Sequence, residues 1–424
     1  MVKRVWRRRR QLASLFALAY ALRSLLLLSF ASRLGREGSA WDFGHEAACL
    51  GNSLWLGHGF ADPWGHGTGA SSWLTPPYPA LLAGLMELFG GVNWAMAACL
   101  FFLQAAASAA TCVLLVLLGE NLGARKAGWW GAILFAIYPP SLWNAVQVVW
   151  DTTFVAFGVV ACLVLLTRPG AFANPMRVVV LGLAWGALAF LNPATLALLP
   201  AVLGYVALGE RAWLRSSVIF LVALVAVCLP WMVRNARVLG TPNLRPNFGV
   251  ELHVGNNPES NGHPQPFKFH PSHVPQELAL YQELGEKDYA ADCASRAFAW
   301  IRAEPGRFAR LCLRRVQYFW LGDSPTADER SSGGERSPGD PKAWLKFLSF
   351  AVLGVLGWIG ALRWPGPARE RVLLIGSLAC FGLAYYVTHV SERYRFPIDP
   401  LLAFLSASAV LTLQGGARDA EPAP

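Results

Sequence analysis

Long apolar segments, separated by short loops rich in Lys and Arg, constrain the fold of this chain more than any other feature. Hydrophobic residues make up 54% of its 424 residues and charged residues only 15%, whereas a typical soluble domain has about 25% charged residues. A run of about twenty apolar residues crosses the hydrocarbon core of a bilayer as a helix, since a helix satisfies its own backbone hydrogen bonds there. The sequence therefore predicts an all-α polytopic membrane protein.

The positions of the basic residues predict the orientation of the chain in the bilayer. They cluster in residues 1–10, MVKRVWRRRR, and in short loops such as 125–126 and 363–371, and such loops lie preferentially on the cytoplasmic side. We expect about ten transmembrane helices, with both termini in the cytoplasm of a bacterial cell and the longer loops outside its inner membrane. The net charge of +10 thus reflects the lipid bilayer as a partner and does not indicate nucleic acid binding.

This topology divides the chain into four parts. They are an N-terminal transmembrane module (1–233) with its first exterior loop (31–79), an exterior, periplasmic polar region (234–341), C-terminal transmembrane helices (342–413) and a disordered cytoplasmic tail (414–424). Short helices are expected in the first exterior loop, in a dipping or interfacial segment that follows it, and inside the polar region. Their predicted ranges are 43–56, 80–89, 276–284, 288–303 and 306–319.

Two acidic residues of the first exterior loop, Asp42 and Glu46, are the first candidates for chemistry. A spacing of four residues places both carboxylates on one side of a helix, although Asp42 would instead be an N-cap if the helix began near Phe43. In a chain so poor in acids, a carboxylate at the membrane surface indicates a functional site. It could act as a general base in glycosyl transfer from a lipid phosphate, because the phosphate leaves as an anion and needs little acid assistance.

Further polar residues are predicted at the same exterior surface. Asp151 is either a helix N-cap or a second carboxylate that binds the acceptor or a divalent cation. Arg393, Tyr394 and Arg395 precede the last span, where they are either interfacial anchors or ligands of a polyprenyl phosphate. Arg234 is expected at the same depth and Arg245 close to it. These arginines are informative because basic residues are uncommon on the exterior side.

The polar region also contains four histidines, His253, His263, His270 and His273, close to Glu251. A divalent metal site is possible there, but the spacing matches no known ligand pattern. Asn256 and Asn257 are expected to shape a turn, and Cys293 and Cys312 could form a disulfide. The sequence has no GxxxxGK[ST] motif and no GxGxxG motif after a strand, so ATP-driven work is not expected.

The chain resembles the GT-C superfamily of polytopic glycosyltransferases. The resemblance is to bacterial members of the family that includes protein O-mannosyltransferases and the aminoarabinose transferases of lipid A. It covers nearly the whole chain and depends on short stretches in a fixed order. These stretches are Phe43-Gly44-His45-Glu46, Gly57-His58-Gly59-Phe60, WLTPPYPALL (73–82), Trp150-Asp151, Pro230-Trp231 with Arg234-Asn235, His253-Val254-Gly255-Asn256-Asn257, Leu284-Gly285-Glu286, and Arg393-Tyr394-Arg395 with Pro397.

The resemblance implies a helical bundle with juxtamembrane helices in the first exterior loop, a polyprenyl-phosphate-linked sugar donor and an inverting transfer. The acceptor would be a protein, a lipid or a glycan. The catalytic acid of such enzymes lies in the first exterior loop, often as an adjacent Asp-Glu pair, and here Phe43-Gly44 stands in that place. Glu46 matches the FGxE form of one bacterial branch and is the preferred base, followed by Asp42 and Asp151. The remaining substrate contacts are expected from His253, Asn256, Asn257, Arg245 and Tyr78.

Two other functions remain open from the sequence. A secondary transporter or lipid flippase would place polar groups near the membrane midplane and would show internal repeats. Arg23, inside the first apolar segment, and Asn192, in a proline-broken segment, favour that alternative, but duplicated halves are not visible. A non-catalytic assembly partner would not depend on any single acidic residue.

Overall fold

The computed structural model describes residues 2–29, 39–65, 67–262, 269–323 and 341–414. Within these ranges the chain is helical, and its only β-contact is an isolated bridge between Ala61 and Ala70. The N-terminal half contains α1 Val2–Ser29, α2 Ala40–Trp55, α3 Pro77–Phe89, α4 Trp94–Asn121, α5 Arg125–Ile137, α6 Pro139–Gln147, α7 Thr152–Thr167, α8 Pro175–Leu191, a 3₁₀ turn Pro193–Leu198 and α9 Leu199–Gly209. The C-terminal half contains α10 Trp213–Leu239, α11 Phe248–Gly255, α12 Pro275–Ala303, α13 Pro305–Leu321, α14 Pro341–Leu362, α15 Ala368–Phe381, α16 Leu383–Val387, α17 Glu392–Arg395, a 3₁₀ turn Phe396–Ile398 and α18 Asp399–Leu413.

Six segments of the described residues are long and apolar enough to cross a membrane. They are Trp6–Ser29, Trp94–Asn121, Trp213–Leu239, Ala343–Leu362, Ala368–Val387 and Glu392–Leu413. Three shorter apolar helices accompany them: Thr152–Thr167, Pro175–Leu191 and Pro193–Gly209. The prediction of an all-α membrane protein is confirmed, whereas the count of about ten spans stays a prediction. The predicted tail from residue 415 onward lies outside the described residues.

Small residues allow the membrane helices to approach closely. A Cβ atom on Gly131 of α5 would lie 2.6 Å from the Cα atom of Phe404 in α18, so only glycine permits this contact. Close backbone approach at small residues is the usual way in which membrane helices pack, because the surrounding lipid offers no hydrophobic driving force. The close contact of α5 with α18 at Gly131 therefore adds to the apolar packing of the bundle.

Arg23 is fully buried in the middle of this bundle. Its guanidinium group donates to Ser108 Oγ at 2.8 Å, to the Ala19 carbonyl at 3.0 Å and to Ser141 Oγ at 3.2 Å. A buried charge is tolerated when its hydrogen bonds are satisfied in this way. Arg23 therefore joins α1, α4 and α6, and this position does not support the transport role that its sequence position suggested.

The polar region predicted to lie outside the membrane packs on the predicted first exterior loop. Gly285, at φ +76° and ψ 164°, breaks α12 between the predicted helices 276–284 and 288–303, as glycine readily does. Directly after the break, the buried Glu286 carboxylate accepts hydrogen bonds from Ser71 Oγ at 2.5 Å, Ser72 N at 2.7 Å and Tyr281 Oη at 2.9 Å. Glu286 thus fixes the loop before Trp73. Cys293 and Cys312 are both free, so the disulfide that seemed possible is not formed.

Candidate active site

A cavity of about 300 Å³ lies where the first exterior loop, α11 and the loop before α17 meet. Its ionisable lining contrasts with the apolar bundle below it. The acidic, basic and histidine side chains that line it are Glu46, Arg245, Glu251, His270, His389 and Arg393. Because Arg393 lies at the start of the apolar segment Glu392–Leu413, the cavity opens at the level where a membrane helix begins.

The first turns of α2 determine where Glu46 points. Ser39 caps the helix and accepts a hydrogen bond from the Asp42 amide at 3.3 Å. The helix is then interrupted at Gly44, with φ −153°, and at His45, with φ 49° and ψ −137°. A non-glycine residue at positive φ costs of order 1–3 kcal/mol and is concentrated at functional sites. A Cβ atom on Gly44 would lie 2.7 Å from Val149 Cγ1, so glycine is required in this break.

This break corrects the prediction that Asp42 and Glu46 share one helix face. The side chain of Asp42 is exposed in the first turn and accepts a hydrogen bond from Ser39 Oγ at 2.8 Å. Glu46 lies beyond the break and lines the cavity, whereas Asp42 does not. The regular i,i+4 geometry assumed from the spacing requires an uninterrupted helix, and the Gly44-His45 break removes it.

Glu46 is surrounded by protein except where it opens to the cavity. Burial raises the pKa of its carboxyl group above the ordinary value. The positive charges of Arg393 and Arg245 act in the opposite direction, while Glu251 adds to the increase. A desolvated carboxylate with a raised pKa is a stronger base than a solvated one, which is the property required of a general base.

Two guanidinium groups face the same cavity. Arg393 lies over the Trp150 ring, 4.6 Å from its centroid, and also near the Tyr394 ring. Arg245 donates from Nε to the Trp73 carbonyl at 2.9 Å, and it lines the cavity. Guanidinium groups held by stacking or by one hydrogen bond can bind a phosphate with their free edges. The cavity therefore combines one candidate base with two candidate phosphate ligands.

A second group of polar residues connects α11 to the loop before α17. Glu251 accepts a hydrogen bond from Asn247 Nδ2 at 3.0 Å, and its Oε2 atom lies 3.2 Å from His389 Nδ1. On the other side of the ring, His389 Nε2 lies 2.8 Å from the Tyr394 hydroxyl. Burial lowers the pKa of His389 despite the neighbouring Glu251 carboxylate, so the imidazole is neutral at neutral pH.

Sequence reasoning missed His389, and it considered Glu251 only as a metal ligand. The signal for His389 was its position in the predicted exterior loop between the last two spans, shortly before Arg393. Its contact with Glu251 could not be read from the sequence, because it joins segments that are distant in the chain.

Asp151 lies directly behind the cavity wall at the start of α7, but its carboxylate makes no capping hydrogen bond. Instead, Asp151 Oδ2 accepts a hydrogen bond from Asn192 Nδ2 at 2.9 Å. Oδ1 has no hydrogen-bond partner among the described residues. Burial raises the pKa of Asp151 to about 6, against the opposing charge of Arg245. Its neighbours Trp150, Thr152 and Asn192 line the cavity, which makes Asp151 a supporting residue of the site.

The structure places two of the predicted phosphate ligands outside the cavity. Arg395 is fully buried, with Nε 2.7 Å from Asp399 Oδ1 and Nη1 2.8 Å from the Trp320 carbonyl. Arg234 donates to the Ser71 carbonyl at 2.7 Å and to the Phe60 carbonyl at 3.1 Å. Both guanidinium groups bind the protein itself and hold the helices and the first exterior loop in place, and donor binding by either stays a prediction.

The predicted substrate-binding residues Tyr78, Asn256 and Asn257 also bind the protein. The Tyr78 hydroxyl is buried and donates to Gln104 Oε1 at 3.2 Å. Asn256 donates to the Val387 carbonyl at 2.8 Å, and Asn257 donates to the His253 carbonyl at 3.0 Å. The asparagines therefore end α11 in a turn, which was the alternative read from their sequence.

The histidines of the polar region do not come together as a metal site. No group of three His, Cys, Asp or Glu side chains in the described ranges could hold a metal ion, and His263 lies outside those ranges. Ser272 Oγ lies 2.5 Å from His270 Nδ1 and 2.7 Å from His273 Nδ1. His253 is buried, packs against Phe269, and has a pKa that burial lowers to about 4. A divalent cation therefore has no assembled set of ligands in the part of the chain that the structure describes.

Comparison with solved structures identifies the fold. No family model matches the sequence, and no curated protein matches it. Two solved structures of the oligosaccharyltransferase from the archaeon Archaeoglobus fulgidus match over nearly the whole chain. One, AglB in complex with an inhibitory peptide and a dolichol-phosphate, has a TM-score of 0.54 and 15% identity and covers 97% of this chain. The other, tethered to an acceptor peptide containing the NVT sequon, has a TM-score of 0.54 and 17% identity and covers 99%.

This similarity shows the fold. The chain spans about half the length of the solved oligosaccharyltransferases, 51% and 53% of the two chains. The prediction of a GT-C fold is confirmed, since oligosaccharyltransferase has that fold. Membership of the more specific family of O-mannosyltransferases and aminoarabinose transferases stays a prediction.

Proposed function

We propose that this protein is an inverting glycosyltransferase that uses a polyprenyl-phosphate-linked sugar at the exterior face of a bacterial cytoplasmic membrane. The observation that carries the proposal is a single cavity, in a GT-C fold, onto which Glu46, Arg245 and Arg393 all open. The similar oligosaccharyltransferase was solved with a dolichol-phosphate, which supports a lipid-linked donor here. The acceptor is a protein, a lipid or a glycan, and the acceptor peptide in the second solved structure supports a protein.

Glu46 is the general base in this proposal. Its carboxylate takes the proton from the hydroxyl or amine of the acceptor as that atom bonds to the anomeric carbon of the sugar. The bond from the anomeric carbon to the phosphate oxygen breaks, and its electron pair leaves with the phosphate. Attack opposite the leaving group inverts the anomeric configuration, so a single base is sufficient.

Arg393 and Arg245 would stabilise the charge that develops on the departing phosphate. Both lie close enough to Glu46 to influence its charge, so a phosphate bound between them would lie beside the base. Fixed guanidinium groups in a partly desolvated cavity stabilise a phosphate anion without reorganising, which is the largest contribution in many enzymes. No step of this mechanism requires a divalent cation.

The other polar residues of the site have supporting roles in the proposal. His389 and Glu251 fix the Tyr394 side chain next to Arg393. Asp151 and Asn192 form the wall below Trp150, on which Arg393 is stacked. Asp42 is at the exposed start of α2, so it ranks behind Glu46 as the base.

The test is sugar transfer in membranes that contain the protein and a labelled polyprenyl-phosphate sugar, with the product detected by mass spectrometry. Glu46→Gln should abolish the product, while Asp42→Asn, a neutralised acid of the same helix outside the cavity, should retain it. Full activity of a folded Glu46→Gln protein would remove Glu46 as the base. Product loss only in Asp42→Asn would transfer that role to Asp42.

The same experiment separates the proposal from the alternatives. A transporter or flippase would give no product with any donor and would show flux in proteoliposomes. A non-catalytic partner would give neither result. The hydrogen bonds of Arg23 within the bundle and the hydrogen bond from Asn192 to Asp151 give structural reasons for the two residues that suggested transport.

A further inference from the structure

A second cleft lies at the end of the bundle opposite the candidate active site. It has a volume of about 1090 Å³ and is formed by residues between 7 and 18 of α1 and between 125 and 133 of α5. Four cationic residues line it: Arg7 and Arg10 from α1, and Arg125 and Lys126 from α5. None of its lining residues within the described ranges is acidic, and the sugar-transfer proposal does not use any of them.

The cleft is more than a general accumulation of charge at a membrane surface. Arg10 stacks on Trp6 at 3.5 Å from the ring centroid, which holds its guanidinium group against α1. Arg8, on the same helix, pairs with Glu120 and does not line the cleft. Four cations of the two helices thus line one depression, while the neighbouring Arg8 forms an ion pair beside it.

The start of α5 adds backbone donors to this positive charge. Its N-cap residue, Ala124, supplies no side-chain hydrogen bond to the first turn. The amides of the first turn of a helix lack partners within the helix and carry a partial positive charge, which favours an anion there. The ligand is therefore expected to be an anion with several acceptor oxygens, such as a phosphodiester.

The lower wall of the cleft indicates where this phosphodiester comes from. Leu15, Leu18 and Ile133 continue the cleft toward the apolar part of the bundle, and Leu18 is 71% exposed. Trp129 and Trp130 stand at its edge, in the position that tryptophan favours at a membrane interface. A charged upper half above an apolar lower half suits a lipid head group with its acyl chains and does not suit a free phosphate ion.

We propose that this cleft, defined by Arg7, Arg10, Arg125, Lys126, Trp129 and Trp130, binds the head group of an anionic glycerophospholipid. The lipid belongs to the leaflet at the N-terminal end of α1. Basic pockets between transmembrane helices are known to bind such head groups, and each nearby Lys or Arg strengthens the binding. The proposal does not depend on the enzymatic reaction, so it can fail or succeed separately from sugar transfer.

Native mass spectrometry of the full-length protein in mild detergent tests it, with phosphatidylglycerol and phosphatidylcholine of matched acyl chains as probes. The wild-type protein should retain phosphatidylglycerol at least about tenfold more strongly. The triple variant Arg7→Gln/Arg10→Gln/Arg125→Gln should weaken that retention about a hundredfold. The matched control Arg9→Gln/Arg211→Gln/Arg215→Gln removes the same charge from exposed positions outside the cleft and should leave it unchanged.

A further variant tests the proposal even if the triple variant misfolds. Ser14 is exposed on the cleft wall, so Ser14→Trp fills the cleft without changing any charge and should also displace the lipid. Equal losses in the triple variant and in its control would overturn the proposal, because they would indicate a general surface effect. Retention of the lipid by Ser14→Trp, equal retention of the two lipids by the wild-type protein, or displacement of the lipid by inorganic phosphate would overturn it too.

Discussion

The hydroxyl of Tyr394 lies 2.8 Å from Nε2 of His389, at the point where the last membrane segment begins. This contact brings the loop before α17 onto the cavity and holds Tyr394 beside Arg393. Since Glu251 of α11 approaches the other nitrogen of the same ring, one neutral imidazole connects the exterior region to the last span. The geometry around this ring leads to the first prediction.

Removing the imidazole should impair the site without unfolding the protein. We expect His389→Ala to reduce the kcat of sugar transfer about fivefold, because one hydrogen bond that orients Tyr394 is worth about 1 kcal/mol. Tyr394→Phe removes the same hydrogen bond from the other side and should have a similar effect. The double variant should be no worse than either single variant, and losses that multiply would contradict a shared role. Transfer kinetics of the three proteins are the measurement.

Glu46 should control the acidic side of the pH profile. A base functions only when it is deprotonated, and burial raises the pKa of Glu46, so kcat/KM should fall as the pH drops through a value above that of an ordinary carboxyl group. Glu46→Gln should lower kcat by about 10²- to 10⁴-fold and remove this limb from the residual activity. The control is Asp42→Asn, whose profile should match that of the wild-type protein. If kcat/KM of Glu46→Gln still fell at low pH as in the wild-type protein, another group would cause that decrease.

Arg393 should require its planar shape as well as its charge. The guanidinium group stacks on Trp150 at 4.6 Å, and a lysine ammonium cannot stack and form a two-pronged contact with phosphate at once. We therefore expect Arg393→Lys to lose about tenfold in kcat/KM, with Arg393→Ala losing more. Arg395→Lys is a poor control because Arg395 is buried in the bundle, so Arg237→Lys on the exposed end of α10 serves instead. Full activity of Arg393→Lys would show that only the charge is needed.

Glu286 should matter for stability and for the position of the first exterior loop. Its carboxylate accepts hydrogen bonds from Ser71, Ser72 and Tyr281, and a hydrogen bond to a buried charged group contributes about 1.5–3 kcal/mol. Glu286→Gln should therefore lower the thermal unfolding temperature in detergent by several degrees. Glu283→Gln, an exposed position on the same helix, should not change it. Equal unfolding temperatures for the two variants would mean that the contact contributes little.

Asp151 should make the folded protein less stable as the pH rises. Burial raises its pKa from 3.8 to about 6 in the folded state. A group whose pKa is raised on folding stabilises the folded state below its unfolded pKa, and this contribution is lost as the pH rises through about 6. Asp151→Asn should therefore raise the unfolding temperature at pH 8 and change it little at pH 4, while transfer activity falls. A stability gain of the same size at both pH values would show that the raised pKa of Asp151 is not the cause.

The helices themselves were largely predictable from the sequence. The break at Gly285, the 3₁₀ turn after Asn192 and the start of α13 at Pro305 follow from glycine and proline, whose backbone preferences act locally. The surface helix of the first exterior loop was also anticipated. Its interruption at Gly44 and His45 was not, because His45 is held at positive φ by its surroundings and not by its own preference.

The identity of the site residues was only partly predictable. Glu46 could be selected because an acid in an apolar chain is conspicuous, but the sequence could not separate Arg393 from Arg395. The two differ by two positions, and the short α17 turns one toward the cavity and buries the other against Asp399. The contact between Glu251 and His389 was equally hidden, since residues far apart in a sequence meet only when the chain is folded.

The sequence by itself thus determined an all-α membrane bundle, because the cost of placing unsatisfied polar groups in hydrocarbon acts on every segment separately. Only the tertiary structure decided which polar side chains share a cavity and which bind other parts of the protein. Arg234, Arg395 and Tyr78 are bound by the protein itself, while Arg245 and Arg393 open to the cavity. The physical reason is that hydrogen-bond satisfaction of a buried side chain depends on neighbours from distant segments, which only the packed bundle brings into contact.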